Sequence, residues 1–257
     1  LVYVALRLLG EQPTAPICAR GRSWLEKQGG VLAIPTWGKA WLAMMNLYDW
    51  NGVAAIVPEL WLQPEASPFH PRRMYCHTRL IYLGLSYLYG VMFQIPETDL
   101  ICALRQELYS EPFEAMDFGA HRFDLADNDV YEKVHPFLKT AFEALRLYDG
   151  HCISALRRRV LDRCLDYIVF HQRQSRYAAI SPVNGLLNTL ALYHARHEDF
   201  LASFQGVDYW AWSDEQEGER FNGAHSHSWD TAFAVQAVGE GPLVDRKTAA
   251  RFLEEAG

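Results

Sequence analysis

Cysteine is scarce in this chain of 257 residues, and long apolar runs and an excess of positive charge are lacking. The five cysteines are scattered without a Cys-x-x-Cys spacing, which argues against a disulfide framework or a structural zinc site and favours a reducing compartment. No run of about 18 uncharged apolar residues occurs, so no transmembrane helix is predicted. The net charge of −7 argues against a nucleic-acid partner, because phosphate binding needs a basic face.

Apolar and aromatic residues are abundant, and they recur with a helical period. Half of the residues are apolar and 13% are aromatic, which is typical of a chain with a packed core rather than a disordered one. Apolar stripes at three- and four-residue spacing predict helices at 39–49, 100–109, 137–148, 153–170, 185–195, 229–238 and 246–255. No convincing strand alternation is found. The sequence therefore predicts an all-α protein, and short helices with irregular loops favour antiparallel helix pairs in an α/α toroid.

Two short patterns imitate metal sites. His225 and His227 form a His-x-His pair without a carboxylate or cysteine at helical spacing. Asp124, Asp127 and Asp129 lack the glycine and the closing glutamate of a calcium loop. We therefore expect no metal ion, and no cofactor is predicted.

Several unusual motifs follow one another along the chain. They are Ile-Pro-Thr-Trp-Gly-Lys at 34–39, Tyr-Asp-Trp-Asn-Gly at 48–52, Tyr-Cys-His-Thr-Arg at 75–79, Ser-Pro-Val-Asn at 181–184 and Trp-Asp-Thr-Ala-Phe at 229–233. In order and spacing this succession resembles the oxidosqualene cyclase family of triterpene cyclases, over essentially the whole chain. The resemblance implies that the chain is an internal part of such an enzyme.

The family's chemistry, as the resemblance implies it, fits this composition. An acidic Asp protonates 2,3-oxidosqualene, and rings close through successive carbocations to give a cyclic triterpene alcohol. Because water would quench cations in the cavity, aromatic π faces must stabilise them instead. The resemblance thus implies a hydrophobic isoprenoid substrate, 2,3-oxidosqualene, and a product of the lanosterol or cycloartenol type.

Six residues match cavity positions of the family. His77 would lie near the later cations, where a neutral imidazole orients a tyrosine hydroxyl or receives the final proton. The other five would contact substrate: Trp37, Tyr75, Tyr82 at the channel constriction, Val183 and Trp229. Without the resemblance, His77 and Trp229 would instead be interpreted as residues of the core.

Departures from the family pattern leave the product open. Tyr75 stands where most members have tryptophan, and Thr78 where cysteine is frequent. The Asn222-Gly223 pair lies two residues farther from Trp229 than usual, and Phe221 precedes it in place of threonine or tyrosine.

The segment of residues 83–96, from Leu83 to Pro96, carries no charge and three aromatic residues. It is too short to span a bilayer but suits shallow insertion. The resemblance implies a membrane-dipping surface here, hence a monotopic protein on the cytoplasmic side of a membrane. The alternative is an ordinary buried helix.

The family's proton-donor motif, Asp-Cys-Thr-Ala-Glu, does not occur in this sequence. By family order it is expected beyond Gly257, in the remainder of the parent chain. Residues 1–257 are accordingly interpreted as one segment, mostly the inserted α/α barrel, with its junction to the catalytic barrel near 222–257. Two alternatives remain: a squalene–hopene type cyclase, and a non-catalytic toroid that binds a lipid or a protein.

Overall fold

The computed structural model describes residues 1–130, 135–216, 218–223 and 227–238, and in the last range the side chains of 231–236. Ten α-helices lie in these residues: α1 (Val2–Leu8), α2 (Pro16–Lys27), α3 (Thr36–Met44), α4 (Cys76–Gly90), α5 (Asp99–Leu108), α6 (Pro136–Gly150), α7 (Ser154–Gln174), α8 (Pro182–His194), α9 (Phe200–Gly206) and α10 (His227–Val238). Short 3₁₀ turns lie between several of them. The predicted helices at 100–109, 137–148, 153–170 and 185–195 are confirmed to within a few residues, whereas 246–255 lies outside the described residues.

One antiparallel hairpin was not expected from the sequence. Strand β1 (Ala211–Asp214) pairs with β2 (Gly218–Phe221), with Ala211 opposite Phe221. Arg220 stabilises the pair, because its guanidinium lies 4.4 Å from the Trp212 ring centroid and 2.8 Å from Asp214. Strands of four residues that are exposed at consecutive positions show no alternation, so the pattern search missed them.

The chain forms two compact units, each built from two stretches of sequence. Unit 1 comprises Leu1–Met74 and Leu85–Leu165, and unit 2 comprises Tyr75–Gly84 and Asp166–Gly257. The boundaries between the units fall after residues 74, 84 and 165, and none of them lies in the junction predicted near 222–257. It stays a prediction, since residues 224–226 and 239–257 lie outside the described part.

An aromatic cluster fills the core of unit 1. Tyr48, Tyr109, Phe113 and Phe118 meet with ring centroids 4.7–5.8 Å apart, mostly edge to face. The Tyr109 hydroxyl donates to the Leu47 carbonyl at 2.5 Å, so the buried phenol is satisfied. These four rings are part of the aromatic content noted in the sequence.

Buried charges join distant parts of unit 1. Arg7 of α1 pairs with Glu107 of α5 at 2.9 Å, and Tyr3 donates to the same carboxylate at 2.7 Å. Arg157 of α7 likewise binds Glu59 and Asp149, each at 2.5 Å. The Arg157 side chain is only 11% exposed, so this charge belongs to the core of the unit.

Lys39 is fully buried, which the sequence did not indicate. Its Nζ donates to the carbonyls of His121, Arg122 and Asp124 at 2.5, 3.2 and 3.1 Å. Burial lowers the pKa of the Lys39 ammonium to about 8. Lys39 therefore fixes the loop after residue 118 onto helix α3.

The uncharged segment 83–96 is largely buried. Leu88, Tyr89 and Phe93 are at most 5% exposed, and Trp50 contacts two of them: its ring meets Tyr89 edge to face, and its Nε1 donates to the Phe93 carbonyl at 3.0 Å. These side chains form core, as the buried-helix alternative requires. Among the large apolar side chains of the segment, Met92 is exposed, at 44%. The membrane surface expected here stays a prediction. No helix in the described ranges is long and apolar enough to cross a bilayer.

Unit 2 is organised around α8. Leu187, Ala191 and Leu192 of this helix are fully buried. The buried polar residues of the unit bond to one another: Thr189 Oγ1 lies 2.7 Å from Ser203 Oγ on α9, and Gln172 Nε2 lies 2.5 Å from the same hydroxyl. A polar network of this kind specifies how the helices of unit 2 pack.

Candidate functional site

His77 contacts Ser181 in unit 2. The Nε2 atom of His77 lies 2.8 Å from Ser181 Oγ, although the two residues are 104 positions apart. His77 is the second residue of α4 and Ser181 directly precedes α8. The bond therefore joins the beginnings of two helices.

The Ser-Pro-Val-Asn motif explains why α8 begins where it does. Ser181 caps the helix by accepting from the Asn184 backbone N–H at 3.3 Å, and Asn184 Oδ1 accepts from the Ser181 N–H at 2.9 Å. Pro182 occupies the first helical position, where its missing N–H costs nothing. This reciprocal capping box fixes the Ser181 hydroxyl before it meets His77.

The bond to Ser181 determines what His77 can do. With Nε2 held by the serine, the ring cannot rotate freely, and Nδ1 has no hydrogen-bond partner in the part of the chain that is described. A half-buried imidazole with one nitrogen fixed and the other open can orient a hydroxyl group or accept a proton.

The structure brings some of the predicted residues together and separates others. Val183 lies two residues after Ser181, in the first turn of α8, and is half-buried. Tyr75 immediately precedes α4 with 74% of its surface exposed. Tyr82 follows His77 by five residues on α4, which places it about 140° around the helix from His77.

Two predicted residues lie outside this group. Trp37 belongs to unit 1, where its ring meets Trp41 edge to face at 5.6 Å and is 39% exposed. Trp229 lies on α10, but its side chain is outside the described residues, as are positions 224–226 in the loop before it. The roles of both residues stay predictions.

The capping box of Ser181 and Asn184, and the bond from Ser181 to His77, were not predicted from the sequence. The available signal was the cap: a serine, then a proline, with an amide three residues after the serine, at the start of an apolar helix. That signal predicts the helix start but not its histidine partner. Among the described residues, no group of three or more His, Cys, Asp or Glu side chains could hold a metal ion.

Comparison with known proteins gives consistent matches along the chain. Residues 1–216 match the squalene-hopene cyclase N-terminal domain family, whose fold is of the α/α toroid type. The chain is 38% identical to human lanosterol synthase over 245 residues, which are 93% of this chain and 33% of that protein. It is 34% identical to cycloartenol synthase of Dictyostelium discoideum over 267 residues, covering 99% of this chain and 37% of the relative.

A third relative agrees with the first two. Lanosterol synthase of Pneumocystis carinii is 35% identical over 258 residues, covering 95% of this chain and 35% of that protein. The chain thus spans about a third of the length of these relatives. On the family match and these identities, the chain belongs to the oxidosqualene and squalene-hopene cyclase family and has its all-α, α/α-toroid fold.

Proposed function

We propose that the protein containing this chain is an oxidosqualene cyclase, which converts 2,3-oxidosqualene into a cyclic triterpene alcohol of the lanosterol or cycloartenol type. The observation that carries the proposal is the 38% identity to a lanosterol synthase along 93% of the chain. Under this proposal the chain contributes cavity wall, and the acid that protonates the epoxide comes from the rest of the protein.

His77 has a defined part in the proposed reaction. Its Nε2 bond to Ser181 leaves Nδ1 for the reacting region, so the ring can hold a hydroxyl near the later cations or take up the final proton. Trp229, Trp37 and Tyr75 would offer π faces to the cations, and Tyr82 and Val183 would shape the channel and cavity.

The experiment is product analysis with labelled 2,3-oxidosqualene in the full-length protein. His77→Ala should leave epoxide protonation intact but release cations early, so monocyclic or tricyclic by-products should accumulate. Replacing the exposed His151 by alanine is the matched control, and its products should be unchanged. If His77→Ala produces only the parent triterpene, His77 has a packing role and does not act on the cations.

Trp229 is tested in the same assay. Trp229→Phe keeps a π face, whereas Trp229→Leu loses it. A cation–π contribution of about 2 kcal/mol corresponds to a rate loss of roughly thirtyfold for the leucine variant. Trp24→Leu, which changes a tryptophan that is 61% exposed, serves as the control. Squalene offered in parallel tests the squalene–hopene alternative, which requires squalene itself to be cyclised.

We also propose that the parent protein is a monotopic protein on the cytoplasmic side of a membrane, because so apolar a substrate partitions into lipid. Since the helical part of 83–96 is buried, contact through this segment would rest on residues 91–96, including Met92. Met92→Asp should weaken flotation with phosphatidylcholine liposomes. Unchanged flotation would exclude this segment as the contact.

A further inference from the structure

An apolar cleft lies in unit 1, between the loop that precedes α4 and helix α6. Its volume is about 740 Å³, within the range of small-molecule sites. Phe69, Met74, Ala141 and Leu145 are among the residues that line it. The helix that forms one side has no buried residue along its 15 positions, so the cleft is open along α6.

One buried hydrogen-bond donor lines this cleft. His70 is 5% exposed, and its Nδ1 accepts from the Arg72 backbone N–H at 3.0 Å. A neutral imidazole with Nδ1 as acceptor carries its proton on Nε2. That Nε2 is buried and has no partner among the described residues. Burial also lowers the pKa of His70, which keeps the ring in this neutral form.

The charge at the cleft has one sign. Among the described residues that line the cleft, Arg73 is the only ionisable one besides His70, and none is a carboxylate. The Arg73 side chain is exposed and forms no ion pair within the described part of the chain. Its neighbour Arg72 does not line the cleft and is paired with Glu65 at 2.6 Å.

We propose that this cleft binds a single-chain amphiphile with a carboxylate head, such as a fatty acid. The alkyl chain lies against Phe69, Met74 and Leu145, where its burial removes apolar surface from water. Arg73 supplies the charge opposite to the carboxylate. A carboxylate oxygen accepts from His70 Nε2 once a shift of the His70 side chain opens this buried atom to the cleft. None of the residues assigned to cyclisation whose side chains the structure describes lines this cleft.

The test is equilibrium binding to the full-length protein, with cis-parinaric acid as the fluorescent probe. Dodecanoate and 1-dodecanol, which have the same chain length, are the competitors. His70→Asn keeps an acceptor for the Arg72 N–H and removes the Nε2 donor. Arg73→Gln removes the charge at the cleft, and Arg72→Gln is the matched control on the adjacent residue.

Arg73→Gln should weaken dodecanoate binding about tenfold or more and leave 1-dodecanol unchanged, because only the acid uses the charge. His70→Asn should weaken both competitors, and Arg72→Gln neither. If His70→Asn lowers the thermal unfolding midpoint, its binding data cannot be interpreted. The comparison of Arg73→Gln with Arg72→Gln then tests the proposal. Absence of saturable binding, or equal losses for Arg72→Gln and Arg73→Gln, would overturn the proposal.

Discussion

At the scale of single residues, the bond between His77 and Ser181 combines two tasks in one hydroxyl. Ser181 Oγ caps the N-terminus of α8 and at the same time lies 2.8 Å from the imidazole Nε2 of His77. Since the hydroxyl is already oriented by the cap, little freedom is lost when His77 binds to it. In the proposed reaction, Ser181 would therefore be a positioning residue that acts through His77.

Replacing the cap separates these two tasks. Ser181→Ala should lower the thermal unfolding midpoint, because a lost helix cap costs about 1 kcal/mol, and should also increase early-released by-products. Asn184→Ala breaks the other half of the capping box but leaves the His77 bond, so it should lower stability without altering products. Ser181→Thr should restore the parent product. If Ser181→Ala and Asn184→Ala give the same product distribution, the role of Ser181 is limited to capping α8.

Residues differ in how far the sequence reveals them. His77 could be predicted because its motif resembles a known family, but Ser181 could not be paired with it, since the contact depends on how α4 and α8 meet. Lys39 gave no signal at all. A lysine is usually exposed, and the three carbonyls that satisfy it come from residues more than 80 positions away.

At the scale of elements, helix interiors follow from periodicity and helix ends follow from local geometry. The predicted helix at 39–49 stops at Met44, because Asn46 adopts a left-handed φ of 58°. The apolar pattern extends past this point because Leu47 and Tyr48 are also buried, although they lie in the loop after the helix. Helix α8 begins three residues before the prediction, at the proline after its cap.

Close packing of α4 against α8 depends on Gly84. A Cβ at this position would lie 2.8 Å from Leu187 Cβ and 3.0 Å from Asn188 Oδ1. Gly84→Ala should therefore destabilise the protein by about 1–3 kcal/mol, from overpacking. Gly21→Ala on α2 is the matched control. Its nearest atom would be 3.8 Å away, so it should stabilise by about 0.5–1 kcal/mol through helix propensity.

Thermal unfolding of both variants measures this difference. Opposite signs of the change in midpoint are expected for the same chemical substitution. A shift of the same sign and size at 84 and 21 would contradict the close contact between α4 and α8.

The junction of α1 and α5 gives a pH-dependent prediction. Burial alone would raise the pKa of Glu107, but hydrogen bonds from Arg7 and Tyr3 outweigh it and hold the pKa below its usual range. The pair therefore contributes stability above the unfolded-state pKa of about 4.3, and this contribution is lost as pH falls through the lower folded-state value.

Glu107→Gln should lower stability at pH 7 by about 3 kcal/mol, because it leaves the guanidinium of Arg7 buried without its charge partner. The difference from the parent should shrink below about pH 4 as the parent's own carboxylate is protonated. Unfolding midpoints of both proteins between pH 3 and 7 test this. A constant difference across the range would mean that the carboxylate charge is not involved.

At the scale of the whole molecule, the chain has the fold of its family, while the relatives are about three times as long. Family membership and the helical class could be predicted from the order of the motifs and from the period. The two compact units could not, since their division follows contacts between distant segments and no linker composition marks it.

The 257-residue chain alone is expected not to cyclise 2,3-oxidosqualene, because it contains no Asp-Cys-Thr-Ala-Glu motif to supply the initiating acid. Incubation with labelled substrate, beside the full-length protein under identical conditions, measures this. Ring-closed alcohol above the uncatalysed background from the chain alone would mean that a residue within 1–257 can protonate the epoxide.

The interleaving of the two units also constrains how such genes can be recombined. Exchanging unit 2 between two relatives requires junctions after residues 74, 84 and 165, and the last two fall inside α4 and α7. A single crossover at any position would combine sequence from both parents within at least one unit. Chimeric cyclases should accordingly survive most often when the donors share the residues that face each other across α4 and α8, such as Gly84 and Leu187.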